Sequence, residues 1–119
     1  MHKLEDLKIW IKAIELSKEV YLLCQNLPQD EKFGLISQIK RSAISIPSNI
    51  AEGAGRNSNK EFIQFLGIAN GSSYELQTQI ILCEKLKLLT EADINNVLDL
   101  ISEVQKMNYV FQQKLKSNI

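Results

Sequence analysis

The chain has 119 residues, of which 45% are hydrophobic and 24% charged, the profile of one soluble globular domain spanning residues 1–119. Lysine plus arginine and aspartate plus glutamate each number 14, so the net charge is zero, which argues against coating nucleic acid by bulk charge. No apolar run approaches the roughly 18 residues of a membrane span. The opening MHKLEDLKIW lacks a signal peptide's apolar core, so a cytoplasmic protein with no membrane partner is expected.

Apolar residues recur at threes and fours rather than in alternation, which predicts helices throughout. The first should run from about Leu4 to Asn26 and stop before Leu27-Pro28, because proline disfavours helix in the residue before it. Its stripe of Ile9, Ala13, Leu16, Val20, Leu23 and Leu27 faces a core. Trp10, Ile14 and Tyr21 form a second apolar band about 100° further round, and such a band usually finds a partner.

The second helix should run from about Glu31 to Ala54, capped by Gly55. Pro47 lies inside it, so a kink near Ala43 to Pro47, or else a break, is expected. The kink fits better, because the apolar spacing continues through it as Ile36, Ile39, Ala43, Ile46, Ile50 and Ala54. The third helix starts at Ser58, with capping-box spacing to Glu61, and should reach about Leu88. Its stripe runs through Phe62, Phe65, Leu66, Ala69, Ser73, Leu76, Ile80 and Cys83. Thr90 caps the fourth, with Glu91 and Asp93 favourable beside its positive N-terminus. That helix continues to about Lys116 on a stripe from Ile94 to Leu115. Short connections make consecutive helices antiparallel neighbours. The expected fold is therefore all-α, an up-down-up-down antiparallel four-helix bundle with helix two kinked at Pro47.

Between Ser45 and Glu75 the chain carries Gly53, Gly55, Gly67 and Gly71 among many serines and asparagines. Gly67 and Gly71 share a helix face away from the core stripe. A glycine inside a helix costs about 1 kcal/mol relative to alanine, so the pair suggests close approach of another backbone. Solvent exposure of tolerated glycines is the plainer alternative. With Trp10, and with Arg41, Ser45, Ser48 and Glu52 on the polar stripe of helix two, they form a candidate subunit interface.

Catalysis and metals find little support. A di-iron bundle needs inward carboxylates and Glu-x-x-His pairs, but the lone histidine is His2, at an end expected to fray. No internal histidine can serve a nucleophilic triad. Glu52, Glu61 and Glu75 are read as surface groups. Cys24 and Cys83 lack metal-ligand spacing and fall at apolar positions, which predicts reduced core thiols. No catalytic residue, metal or cofactor is assigned.

Between Lys32 and Lys60 the bases are Lys32, Lys40, Arg41, Arg56 and Lys60, against Glu52 alone. Lys40, Arg41, Arg56 and Lys60 are the candidate contacts for RNA or DNA. The absence of interleaved aromatic and basic residues predicts contact with phosphate and no base stacking. A protein partner is the alternative ligand.

Three segments carry a family resemblance: L-x-I-W-x-K-A-x-E-L from Leu7 to Leu16, L-x-x-Q-I-x-R-S-x-x-S-I-P-S-N-I-A-E-G-x-G-R from Leu35 to Arg56, and E-F-x-x-F-L-x-I-A-x-G-S-x-x-E from Glu61 to Glu75. They resemble the four-helix bundle proteins met in intervening sequences of bacterial 23S ribosomal RNA genes. The resemblance implies a ring-like homopentamer without enzyme activity, for which nucleic-acid binding is the main proposal. A related bundle, the accessory variability protein of diversity-generating retroelements, shares that form but is basic, whereas this chain has zero net charge.

Overall fold

A computed structural model describes residues 2–31 and 33–118. Its four helices are α1 (Lys8–Cys24), α2 (Leu35–Ala54), α3 (Asn59–Lys85) and α4 (Glu91–Lys116). Short 3-10 turns at Leu4–Asp6 and Gln29–Glu31 precede α1 and α2. The packed helix pairs are α1–α2, α2–α3, α3–α4 and α1–α4, a square of neighbours 46 Å long and about half as wide. Across each seam, residue numbers rise on one helix as they fall on the other. Ser17 and Tyr21 of α1 meet Ala43 and Lys40 of α2, and Lys12 and Glu19 of α1 meet Glu103 and Asn96 of α4. The arrangement is therefore antiparallel throughout.

The apolar stripes meet in one core. Leu16, Val20, Ile39, Ile46, Ile50, Phe62, Leu66, Leu76, Ile80, Ile101 and Val104 are all but inaccessible. Cys24 and Cys83 are buried free thiols within it. Burial pushes both thiols up, Cys83 to about 11, so each stays protonated and unreactive at neutral pH.

The helix ends follow local chemistry. Thr90 and Asp93 make a reciprocal capping box, Thr90 Oγ1 accepting from the Asp93 amide at 3.1 Å and the Thr90 amide donating to Asp93 Oδ2 at 2.8 Å. At α3 only half of the expected box forms. Ser58 Oγ accepts from the Glu61 amide, while the Glu61 carboxylate turns to the Ser58 hydroxyl and to Arg56. α3 ends at Lys85, earlier than its apolar spacing predicts. Lys87 has φ 63°, and the Lys87 and Leu88 amides donate back to the Glu84 and Cys83 carbonyls. This is a Schellman closure with lysine in the place glycine usually takes. Gly55 does follow α2, but with φ −83° it ends the helix without a left-handed residue.

α2 runs unbroken through Pro47. Proline has no N–H, so the Ala43 carbonyl one turn back loses its helical donor. Ser17 Oγ of α1 lies 3.0 Å from that oxygen, and 3.0 Å from the Ala13 carbonyl of its own helix, so it is placed to supply a replacement. Nothing in the sequence pattern links these two positions.

Candidate functional site

The four basic residues singled out in the sequence do not form one patch. Lys40 and Arg41 lie early in α2, while Arg56 lies past its end and Lys60 opens α3. At 1.5 Å per residue the two pairs are about 22 Å apart. Lys40 Nζ sits 4.7 Å over the Tyr21 ring. Arg56 donates to Glu52 at 3.0 Å, approaches Glu61 at 3.9 Å and lies 4.8 Å over the Phe65 ring. Arg41 and Lys60 are exposed and make no ion pair among the described residues. Lys32 lies outside the described residues.

The small residues of α2 and α3 serve two surfaces. One is internal. Ser42, Gly53, Ser72 and Ser73 are buried, Ser45 Oγ lies 2.8 Å from Ser72 Oγ, and Asn49 donates to Ser45. Ser45 is thus already bonded within the α2–α3 seam. The other surface faces outward. Gly67 and Gly71 are exposed, and a Cβ added at either would meet nothing within 4 Å. Arg41, Ser48 and Glu52 are exposed as well. On α1, Trp10 is half-buried, while Ile14 and Tyr21 are exposed, with Ile44 of α2 exposed alongside.

Folding also sorts the charge. His2 is not frayed: its ring packs edge-on against Phe62 at 5.0 Å and Phe111 at 6.2 Å, and Phe62 meets Phe111 at 5.3 Å. This aromatic contact gathers the start of α1, the α2–α3 turn and the last turns of α4 at one end of the bundle. Residues 2–8, 52–61 and 104–118 hold seven bases (Lys3, Lys8, Arg56, Lys60, Lys106, Lys114, Lys116) against four acids (Glu5, Asp6, Glu52, Glu61). That end carries +3, and the rest of the chain, seven bases against ten acids, carries −3. Sequence reasoning missed the α4 contribution, although it was readable: residues 104–118 contain three lysines and no acid.

Two clefts open beside these lysines. One, of about 540 Å³ between α1 and α4, is floored by Leu7, Ile9, Met107 and Phe111 and bordered by Lys8, Lys106 and Lys114. The other, of about 310 Å³ between α3 and α4, is lined by Tyr74, Tyr109 and the side-chain amides of α4, with Lys116 at its end.

The three carboxylates considered for catalysis do not converge on one site. Glu52 and Glu61 share Arg56, while Glu75 lies about 21 Å along α3 from Glu61. Among the described residues, no cluster of three histidine, cysteine or carboxylate side chains is placed to hold a metal ion. No helix among them is long and apolar enough to cross a membrane.

A family model described as 23S rRNA-intervening sequence protein matches residues 5–110. The fold is similar to the crystal structure of a protein of unknown function from the S23 ribosomal protein family of Bacteroides thetaiotaomicron. That similarity has a TM-score of 0.81 at 25% identity, covering 87% of this chain and 97% of that one. No curated protein matches.

Proposed function

The chain belongs to the 23S rRNA-intervening sequence protein family, and on that premise we propose that it acts as a non-enzymatic homo-oligomer that binds RNA or DNA at its basic end. The observation that carries this reading is the segregation of a zero net charge into one end of +3 and a remainder of −3. A local field, not the total, governs encounter with phosphate, because screening confines it to about 8 Å at physiological salt. A ring repeats the basic end in every copy, and five copies are what the family resemblance implies. Of the first-noted basic set, exposed Lys60 lies at the basic end and adds a phosphate contact, whereas Arg41 lies about 22 Å away.

Titration of the assembled protein with structured RNA and duplex DNA tests the ligand. Affinity should fall steeply as salt rises. The variant K106E/K114E/K116E should bind at least roughly tenfold more weakly. Salt-insensitive binding, or none, would remove nucleic acid and leave a protein partner, the alternative for which exposed Ile14, Tyr21 and Ile44 speak.

Assembly has its own test. A side chain at position 71 has open space within the single chain. Gly71→Leu should therefore keep full helicity while lowering the mass seen by sedimentation. An unchanged mass would show that another backbone does not approach this glycine face.

A further inference from the structure

We infer that the α3–α4 groove binds the bases of single-stranded nucleic acid, a reading that rests on the nucleic-acid function proposed above and adds base contact to it. The fold brings Tyr74 and Tyr109, 35 positions apart in the chain, into one cleft of about 310 Å³. Both rings are well exposed in the single chain, at 56% and 67%. Tyr74 borders the glycine face of Gly67 and Gly71, so the groove stays open only where a neighbouring subunit docks on those glycines without covering it, which the assembled mass below checks. Large aromatic rings held open to solvent beside a basic end are the platform on which unpaired bases stack, whatever their identity.

Hydrogen bonds cross the groove floor. Asn108 is buried, donates to the Leu66 carbonyl at 2.9 Å and accepts from Gln112 at 2.6 Å. Gln105 Nε2 lies 3.2 Å from Ser73 Oγ and 3.0 Å from Gln77 Oε1. Those bonds orient the amides and, among the described residues, leave the carbonyl oxygens of Gln105 and Gln112 without a protein donor. The side-chain amide of Asn70 is also unbonded among the described residues. These groups offer donors and acceptors to base edges.

Register places the rings in sequence along the groove. Gln105 sits level with Ser73, next to Tyr74, and Tyr109 lies one turn further, about 6 Å toward the basic end. Two neighbouring bases of a splayed strand can each meet one ring. Lys116 lies beyond Tyr109 in the same groove, where the backbone phosphate would run, and no carboxylate lines the cleft. A duplex keeps its bases stacked inside and cannot use the rings, so the site distinguishes strands from duplexes.

The test is fluorescence anisotropy with labelled oligouridine, oligothymidine and a duplex, at about 50 mM and about 200 mM salt. The parent protein, Tyr74→Ala, Tyr109→Ala, Tyr109→Phe and K106E/K114E/K116E are compared, each with its melting curve and assembled mass. Each Tyr→Ala change should weaken single-strand binding by roughly tenfold and leave duplex binding unaltered. Tyr109→Phe should bind like the parent, because stacking needs the ring and not the hydroxyl. The lysine variant should weaken both ligands. Unchanged single-strand affinity in both alanine variants, with salt-dependent binding intact, overturns the base site and leaves the phosphate reading standing. No binding of any nucleic acid by the parent overturns both. A fall in assembled mass on Tyr74→Ala or Tyr109→Ala also overturns the base site, because the groove would then be a subunit contact.

Discussion

A Gly53→Ala variant is expected to melt roughly 8 °C below the parent, although alanine normally favours a helix over glycine by about 1 kcal/mol. Gly53 is buried in the last turn of α2. A Cβ there would stand 2.7 Å from Phe62 Cδ1, 2.8 Å from Phe65 Cβ and 3.2 Å from the Phe62 carbonyl oxygen. None of these can easily give way. The Phe62 ring is inaccessible and held edge-on by Phe111 and His2, and Phe65 Cβ moves only with its backbone. α3 must therefore shift away from α2 along the most extensive seam in the bundle. Overpacking of this kind costs about 3 kcal/mol, against the gain of about 1 from propensity, for a net loss near 2. Gly55→Ala is the control. Its new Cβ would sit at an ordinary 3.7 Å, and φ −83° suits any residue, so its melting temperature should hold or rise slightly. If the two variants melt alike, the close approach at Gly53 does not hold α2 and α3 together.

The same glycine shows what the sequence could and could not convey. Apolar spacing identified every core stripe, because burial selects residue type at each turn: Ile36, Ile39, Ala43, Ile46, Ile50 and Ala54 are all buried as their spacing predicts. Short connections between periodic segments were enough for the antiparallel order. Helix ends were less legible. Glu31 to Gly34 carry no strong stop signal, yet α2 starts only at Leu35, and the left-handed Lys87 closes α3 without the glycine that would announce it. Small residues were harder still. Gly53 and Gly71 look alike in sequence, but one meets two phenylalanines and the other meets open space. Only the partner helix separates a seam from a surface. The placement of charge was hidden for a related reason. A total of zero reports a sum, whereas the chain's antiparallel path brings Lys60, Lys106 and Lys116 to one end. Tyr74 and Tyr109 become a pair by the same path, which interleaving along the chain could not reveal.

Ser17→Ala should destabilise the protein by about 2 kcal/mol, a large effect for losing one half-buried hydroxyl. The reason lies in α2. Pro47 deprives the Ala43 carbonyl of its donor, and Ala43 is inaccessible to water. An unpaired buried acceptor costs about 1–3 kcal/mol, and Ser17 Oγ at 3.0 Å is what prevents it. The same oxygen also lies 3.0 Å from the Ala13 carbonyl of its own helix, and a hydroxyl has a single proton to give. A local bond of that kind adds little stability to a helix, so the two roles predict different outcomes. A double-mutant cycle in chemical denaturation separates them. In a Pro47→Ala background the new N–H can reach the Ala43 carbonyl, and Ser17→Ala should then cost only a few tenths of a kcal/mol. The loss of the buried Pro47 ring itself cancels in the cycle, leaving a coupling of about 1–2 kcal/mol. Equal losses in both backgrounds would assign the hydroxyl to Ala13. α2 would then have to accommodate its proline without help from α1, and the approach of Ser17 to the Ala43 carbonyl would have no energetic meaning.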